Sequence, residues 1–223
     1  MLFHAQEKGK MVLKTLVLCD DYWHPSPIVR EGLIALQGHG FHFDWVEDAR
    51  QWSAALMADY SLVVLAKSNN ISSTNQAAWM TDEAQAAFAA HVGRGNGLLA
   101  IHSGTAGYLE TPVFRNLLGG AFLHHPEQCQ VSIEPLAGHP LAAGAEAFVA
   151  QDEHYFMSMS DPQVDVFLVA RSAHGEQPAG WRRNQGQGRV AVLTPGHTLE
   201  VWLHPSFQTL LRNSLRWCGG ANF

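Results

Sequence analysis

Short runs of consecutive apolar residues alternate with helical patterns over the first half of the chain. Residues 13–19 and 61–66 have the composition of fully buried strands, and residues 41–46 alternate between apolar and polar side chains as a half-buried strand does. Apolar residues at helical spacing predict helices at 27–38 and 49–57 between these strands. The first half therefore predicts a β-α-β succession.

The same alternation continues after residue 80. A helix is predicted from Thr81 to His91, because Thr81 can cap its N-terminus and Asp82 and Glu83 place acidic side chains in its first turn. A fourth strand follows at residues 98–102. Further along, the pattern predicts extended segments at 128–133, 164–170 and 189–193 and helices at 112–118 and 207–217.

Strands that alternate with helices are typical of an α/β fold, in which a mostly parallel sheet carries helices on both faces. The chain has 223 residues, of which 47% are hydrophobic and 15% charged, and these values suit a single domain with a sizeable core. Residues 1–11 are polar and are interpreted as a flexible N-terminal extension, and residues 12–223 as the domain. Ligands of such sheets bind beyond the carboxyl ends of the strands.

The charge of the chain argues against two classes of partner. Lys and Arg number 14 and Asp and Glu number 20, so the net charge is −6 and no broad positive field attracts nucleic acid or an anionic membrane. No stretch reaches the roughly 18 apolar residues of a membrane span. The three cysteines, Cys19, Cys129 and Cys218, lie far apart in the sequence, which favours reduced thiols and a cytoplasmic location.

Histidine is the one unusual feature of the composition. The chain contains 13 histidines against 14 Lys and Arg together, and this abundance points to metal or acid–base chemistry. The sharpest local pattern is Ala100-Ile101-His102-Ser103-Gly104, where a buried strand breaks into a turn that looks like a nucleophile elbow with His102 in the raised position. We expect a strained backbone at His102. The alternative is a turn in which His102 only hydrogen-bonds a loop carbonyl.

Other titratable residues follow predicted strands or lie in the loops between elements. They are His24, His125, Glu153 and His197. Because the carboxyl ends of parallel strands meet at one edge, we expect the side chains other than His125 to line one cavity together with His102. Three histidines and a carboxylate suit zinc or a similar divalent ion, but the spacing contains no tight H-x-x-x-H or H-E-x-x-H pair, so the sequence alone does not favour a metal.

Neighbouring side chains of an extended segment point to opposite sides, and this rule restricts two of these positions. At most one of His124 and His125 can enter a given pocket. By the same rule Glu153 shares a side with Tyr155 and not with its neighbours in the sequence.

Several aromatic side chains near the predicted pocket could stack on the faces of a sugar. They are Trp23, Tyr108, Tyr155 and Trp202, and for each of them packing in the core is the alternative. The run Trp181-Arg182-Arg183 is interpreted as part of a surface strand that leads into a hairpin at residues 184–188, since the net charge disfavours nucleic acid. The remaining histidines considered are expected in turns or in solvent, and these are His4, His39, His42, His91, His139 and His174.

A series of short motifs runs along the chain. They are His24-Pro25, Ala100-Ile101-His102 with Gly107-Tyr108, Gly119-Gly120-Ala121-Phe122 with His125-Pro126, His139-Pro140, Asp152-Glu153-His154-Tyr155, residues 178–181, Gly188-Arg189-Val190 and Gly196-His197. In their order and spacing these motifs together resemble the ThuA-like (trehalose utilisation) family. The resemblance extends from about Leu16 to Gly219.

The resemblance implies a flavodoxin-like sheet of the class I glutamine amidotransferase-like type. It also implies a pocket built from His24, His102, His125, Glu153 and His197, and a role in carbohydrate utilisation with a sugar or sugar derivative as the small-molecule partner. The chain departs from true amidotransferases, which place a nucleophilic cysteine where this sequence has His102. We therefore do not expect glutamine hydrolysis.

The first candidate function is the transformation of a sugar. In this hypothesis His102 and Glu153 form an acid–base pair, or a divalent metal such as zinc takes part. The candidate metal ligands are His24, His102, His125 and His197. The candidate contacts to substrate are His24, Tyr108, Tyr155 and Trp202.

Two other functions use the same fold. A non-catalytic sugar-binding or regulatory module would use the same pocket without turnover. An amidotransferase-type partner subunit would require a cysteine near the elbow, and the sequence has none there. The sequence does not decide whether the chain forms a homo-oligomer.

Overall fold

A nine-stranded mixed sheet forms the centre of the computed structural model, which describes residues 12–221. The N-terminal extension predicted at residues 1–11 lies outside the described residues. The first elements are β1 (Leu13–Cys19), α1 (Ser26–Ile34), β2 (Phe41–Val46), α2 (Ala54–Ala58), β3 (Leu62–Ala66), α3 (Asp82–Gly93) and β4 (Gly97–Ile101). They are followed by α4 (Pro112–Leu118), β5 (Gly120–His124), β6 (Cys129–Pro135), β7 (Phe148–Asp152), β8 (Phe156–Met159), β9 (Asp165–Ser172), β10 (Gly175–Gln185), β11 (Gly188–Leu193), α5 (Leu199–Leu203) and α6 (Pro205–Cys218).

Local capping explains where several of the helices begin. The hydroxyl of Thr81 accepts a backbone N–H in the first turn of α3, as the sequence predicted. The helix predicted at 49–57 is instead divided into a 3-10 turn, Ala49–Gln51, and α2. The division occurs because Ser53 adopts an extended backbone and its hydroxyl caps the start of α2.

The strand order of the large sheet is β2-β1-β3-β4-β11-β10-β9-β6-β7. The first five of these strands are parallel to one another. With β11 as the fifth parallel strand, this is the 2-1-3-4-5 order of flavodoxin-like folds. The structure thus confirms the α/β class and the parallel sheet that the apolar runs predicted.

The remaining four strands extend the sheet in antiparallel fashion, which the sequence did not predict. β10, β9, β6 and β7 pair in that order, and β5 and β8 form a separate antiparallel pair. β7 and β8 contain only 5 and 4 residues, and β8 has no fully buried position. Strands of this kind carry too little hydrophobic pattern to be recognised from the sequence.

β10 and β11 form the hairpin predicted at residues 184–188, in which Gln185 pairs with Gly188. The prediction of a surface strand before this hairpin was wrong. β10 lies inside the sheet, and Trp181 is fully buried, with its indole N–H donating to the Leu118 carbonyl at 2.8 Å. The indole is buried because α4, distant in the sequence, supplies both the acceptor and part of the surrounding apolar layer.

Helices cover both faces of the sheet, as predicted. α1, α5 and α6 pack on one face around Trp202 and Phe207. α2, α3 and α4 pack on the other around Phe88 and Phe114. None of the helices within residues 12–221 is long and apolar enough to cross a membrane.

A buried lysine ties together the loops that follow the first three strands. Lys67, directly after β3, has no exposed surface, and its ammonium group donates to the carbonyls of Asp20 at 2.8 Å, Glu47 at 3.1 Å and Ile71 at 3.0 Å. Burial lowers the pKa of Lys67, and the nearby Asp21 carboxylate opposes that shift. The three N–H donors of the ammonium group are therefore all used, at the edge where ligands of this fold bind.

Replacing this ammonium group should destabilise the fold. Lys67→Met leaves three buried carbonyls without their donor, so we expect the free energy of unfolding to fall by at least about 3 kcal/mol. Urea denaturation followed by circular dichroism measures the change. Lys14→Met is the matched control, because the ion pair of Lys14 with Asp44 lies in solvent and its loss should matter far less. Equal stability of Lys67→Met and the wild type would contradict the prediction.

Candidate functional site

An open cavity of about 550 Å³ lies beyond the carboxyl ends of the parallel strands. Its walls come from the segments that follow β1, β3, β4 and β11, from β5 and the loop after it, and from the loop after β7. Its volume lies within the range of about 300–1,000 Å³ that is typical of small-molecule sites. The cavity is thus at the edge where the sequence predicted it.

One carboxylate, Glu153, is surrounded by four imidazoles at the floor of this cavity. Its oxygens lie 3.2 Å from Nδ1 of His197 and 3.4 Å from Nε2 of His102. Nε2 of His125 and Nε2 of His24 are 3.6 and 3.9 Å away. All five residues that the resemblance assigned to the pocket therefore converge on one point.

His102 occupies the elbow that the sequence predicted. It follows β4 as the first residue of a 3-10 turn, His102–Thr105, and its φ of +46° lies in the left-handed region that non-glycine residues rarely adopt. Gly104 completes the turn, because a Cβ there would lie 2.0 Å from the Leu65 carbonyl oxygen. Nδ1 of His102 lies 2.8 Å from the Thr194 carbonyl, so the loop-carbonyl contact considered as an alternative is also present.

His102 lies behind the cavity wall and not on it. Only 2% of its surface is exposed, and Nε2 points toward Glu153 from the protein side. His24, Glu153 and His197 line the cavity itself. The expectation that all four side chains line one cavity therefore holds for three of them, because the elbow directs His102 beneath the others.

A buried aspartate orients His24. One carboxylate oxygen of Asp21 accepts the backbone N–H groups of Trp23 at 2.8 Å and His24 at 3.0 Å, and lies 2.9 Å from Nδ1 of His24. Burial opposes ionisation, but these hydrogen bonds and the His24 charge lower the pKa of Asp21 to about 2. Burial likewise disfavours the imidazolium, yet the hydrogen bond to Asp21 and the negative charges of Asp21 and Glu153 raise the pKa of His24 to about 9.

A second buried aspartate holds the segment that carries His197. The Asp152 carboxylate accepts the backbone N–H groups of Gly196 at 2.9 Å and His197 at 2.8 Å. Burial raises its pKa. Asp152 therefore points away from the cavity while Glu153 and Tyr155 point into it, as the alternation of side chains predicted.

The electrostatics of the cluster follow from burial and from the imidazoles. Burial opposes ionisation of Glu153, but His102, His197 and His24 hold its pKa far below its usual range. Burial lowers the pKa of His102. Glu153 is therefore a carboxylate and His102 a neutral imidazole at neutral pH.

Three aromatic residues form the apolar part of the cavity wall. Tyr155 is buried and stacks on the His102 ring with centroids 4.2 Å apart, and Phe122 packs against Tyr155 at the same separation. Trp23 lies at the mouth with 66% of its surface exposed. The sequence prediction placed Tyr155 and Trp23 near the pocket, and the structure does so too.

Two of the predicted substrate contacts lie in the packed interior. The hydroxyl of Tyr108 donates to the Lys67 carbonyl at 2.9 Å, and the indole N–H of Trp202 donates to the Gly196 carbonyl at 2.7 Å. Neither side chain lines the cavity. Core packing, the alternative considered for both, is their observed role, because helices and loops distant in the sequence cover them.

The neighbours His124 and His125 diverge as predicted. His125 lines the cavity, and its Nδ1 lies 2.7 Å from the Pro126 carbonyl. His124 is exposed and stacks on Phe156 outside it. Although His125 was a candidate metal ligand, it is not part of the close group of donor atoms formed by His24, His102, Glu153 and His197.

The other histidines lie away from the cavity. His139 caps a 3-10 turn, as predicted, and His39, His42 and His174 are exposed. His91 was expected in solvent but is fully buried in α3, where burial lowers its pKa to about 4. His4 lies outside the described residues.

None of the cysteines can replace the missing nucleophile. Burial raises the pKa of both the Cys19 and Cys218 thiols to about 12. All three cysteines are free thiols, and none lines the cavity. The cavity therefore has no cysteine thiol that could act as the nucleophile of an amidotransferase.

The sequence reasoning did not identify the residues that hold the histidines in place. Asp21, Asp152 and the Thr194 carbonyl act in this way. Asp21 carries a signal, since it directly follows a buried strand and stands three positions before His24. A backbone carbonyl such as that of Thr194 carries none.

The chain matches the model of the ThuA family, described as trehalose utilisation, over residues 6–218, and it belongs to that family. This membership supports a role in carbohydrate utilisation. Comparison with curated protein sequences gives no match.

Solved structures share the fold. A ThuA-like protein from Parabacteroides merdae superposes with a TM-score of 0.74 at 17% identity, over 94% of this chain and 90% of its own. Another, from Bacteroides uniformis, has a TM-score of 0.73 at 20% identity, over 97% and 95%. The β-galactosidase of Rahnella sp. R3 has a TM-score of 0.65 at 14% identity, over 93% of this chain but 31% of the enzyme.

Histidine tautomers test the geometry of the elbow. The Thr194 carbonyl can only accept, so the neutral ring of His102 must carry its proton on Nδ1. His139 is the matched control, because its Nδ1 accepts the Leu141 N–H and its neutral ring must carry the proton on Nε2. Nitrogen-15 NMR at mildly alkaline pH should therefore show opposite tautomers. The same tautomer in both rings would show that the His102 contact is not made.

Proposed function

We propose that this protein binds a sugar or sugar derivative in the cavity and transforms it by chemistry centred on Glu153. The observation that carries the proposal is the convergence of four imidazoles on one largely buried carboxylate at the floor of a ligand-sized cavity. Groups with strongly shifted pKa values in a cleft are typical of catalytic sites. Membership of the trehalose utilisation family supports a carbohydrate as the substrate class.

The cavity offers both kinds of surface that a sugar needs. Trp23 and Phe122 present aromatic faces on which the C–H face of a sugar ring can stack. Glu153, His125 and His197 present polar groups at the floor, where hydroxyls can form hydrogen bonds. A pyranose would therefore lie against the aromatic wall with its reacting position toward Glu153.

Glu153 and His102 have different roles in this proposal. Glu153 faces the cavity and, as a carboxylate, accepts a hydrogen bond from the reacting hydroxyl of the sugar. His102 lies behind it, 3.4 Å from the same carboxylate, and acts by positioning Glu153. The direct acid–base pair expected from the sequence is thus revised, because burial removes His102 from the surface that a substrate can reach.

The proposal places this chemistry in the cytoplasm. The three free cysteines support a reducing compartment. Neither nucleic acid nor a membrane surface belongs to the proposed partners, since the net charge of −6 offers no attraction to either.

Turnover should depend on the carboxylate. With a sugar found by thermal-shift screening, Glu153→Gln should lower kcat by roughly 10²- to 10⁴-fold, the usual contribution of an acid–base group, and His102→Ala should lower kcat as well because Glu153 loses the imidazole that positions it. Calorimetry would measure ligand affinity and mass spectrometry would measure product. His124→Ala is the matched control, because this exposed neighbour of His125 points away from the cavity. Wild-type turnover by Glu153→Gln would remove Glu153 from the mechanism.

The aromatic wall should determine affinity more than rate. Trp23→Ala removes an exposed stacking surface without disturbing the core, so we expect sugar affinity to weaken by about tenfold while kcat at saturation is retained. Leu123→Ala, which removes an exposed apolar side chain outside the cavity, should leave affinity unchanged. Calorimetric titration of both variants makes the comparison, and equal affinities would place the sugar elsewhere.

A non-catalytic sugar-binding or regulatory module is the second candidate. The match to 31% of a β-galactosidase supports it, because the same fold occurs there as one part of a larger enzyme. The experiment on Glu153 separates the two functions. Tight sugar binding by the wild type without product, under any metal supplementation, would favour the module.

A further inference from the structure

Three imidazole nitrogens next to Glu153 have no hydrogen-bond partner. Nε2 of His24, Nε2 of His102 and Nδ1 of His197 are buried, and none forms an aligned hydrogen bond within the described part of the chain. Buried polar atoms of this kind are rare, since each costs free energy unless a partner satisfies it. Because all three nitrogens are directed at one carboxylate, they indicate a bound ligand that accepts a lone pair from each of them.

The separations of the four donor groups suit one small cation. The nitrogens and a Glu153 oxygen all lie within 4.8 Å of one another. Nδ1 of His197 lies 3.2 Å from Oε1 of Glu153, and Nε2 of His102 and Nε2 of His24 lie 3.4 and 3.9 Å from Oε2. Tetrahedral zinc, with bonds of about 2.0–2.1 Å, separates its ligand atoms by roughly 3.3 Å.

We propose that His24, His102, His197 and Glu153 bind one divalent transition-metal ion of the zinc type. Imidazole and carboxylate together are ligands that such ions accept. Within residues 12–221 these four residues form the one group of three or more potential ligand side chains with donor atoms this close.

The surroundings of the ligands prepare the site for an ion. Nδ1 of His24 meets the Asp21 carboxylate at 2.9 Å, and Nδ1 of His102 meets the Thr194 carbonyl at 2.8 Å. Both contacts place the proton on Nδ1 and leave Nε2 to bind, as carboxylates and carbonyls behind metal-bound histidines do. The left-handed backbone of His102 aims its ring at the same point.

The metal site adds a cofactor to the proposed function, and only the catalytic role of the ion rests on that function. At the floor of the cavity, a divalent ion would act as a Lewis acid toward an oxygen of the bound sugar. The binding of the ion itself follows from the four side chains alone. Measurements of metal binding and of sugar turnover therefore test the two proposals separately.

Metal titration of the full chain, purified without a histidine tag and stripped with a chelator, tests the site. We expect one Zn²⁺ per chain in competition with a chromophoric chelator, a higher unfolding temperature with Zn²⁺, and visible absorption of bound Co²⁺ typical of low coordination number. Glu153→Gln and His197→Ala should each weaken Zn²⁺ binding at least about 100-fold, and Asp21→Asn roughly 10- to 100-fold.

His124→Ala is the matched control, because this exposed histidine stacks on Phe156 outside the cavity and does not belong to the group of donor atoms. Its Zn²⁺ affinity should equal that of the wild type. Unfolding of each metal-free variant checks that the fold is intact, and if one variant does not fold, the other ligand variant on a different loop decides the test.

Several outcomes would overturn the site. One is the absence of saturable Zn²⁺ binding by the wild type. Another is a Zn²⁺ affinity equal to that of the wild type in a His24→Ala/His102→Ala/His197→Ala variant, which would place the ion elsewhere. Saturable Zn²⁺ binding at these residues without sugar turnover would uphold the site and refute the proposed function. Turnover by a wild type that binds no metal would overturn the site and leave the proposed function standing.

Discussion

One buried ammonium group holds the edge of the sheet on which the site is built. Lys67 donates to three backbone carbonyls in the segments that follow β1, β2 and β3, so three loops converge on a single charge. One of these carbonyls belongs to Asp20, and the next residue, Asp21, orients His24. An ammonium in the interior is tolerated only when its donors are satisfied, which makes these loop positions mutually dependent. The placement of His24 thus depends on a charge that never faces the cavity.

The same edge of the sheet also places one carboxylate, that of Glu153, among imidazoles. Burying Glu153 would be costly without opposite charges or ligands beside it, and the histidines provide them only because each is held from its far side. Asp21 and Thr194 follow β1 and β11, and Asp152 is the last residue of β7, so the three groups stand at the carboxyl ends of three different strands. The site is therefore preorganised by the topology, since the carboxyl ends of these strands bring acids and histidines together before any ligand arrives.

The fold is shared by proteins of low sequence similarity. Structures of ThuA-like proteins from Parabacteroides merdae and Bacteroides uniformis and part of a β-galactosidase superpose on this chain at 14–20% identity, which shows a common architecture alone. The elbow after β4 carries a histidine. His102 has a left-handed conformation there, and its imidazole is aimed at Glu153 from behind the cavity wall.

The sequence by itself determined the parallel half of the sheet, because strands buried on both faces are uninterrupted apolar runs. It also determined that His24, His102 and His197 meet, since residues after parallel strands share one edge. Only the tertiary structure decided the antiparallel half and with it the place of Glu153 after β7, because a local pattern can predict an extended segment but not which strand pairs with it. It also decided that His102 lies beneath the cavity wall and that Trp202 packs in the core. Those outcomes depend on which elements, distant in the sequence, cover a side chain, and a local pattern carries no information about that covering.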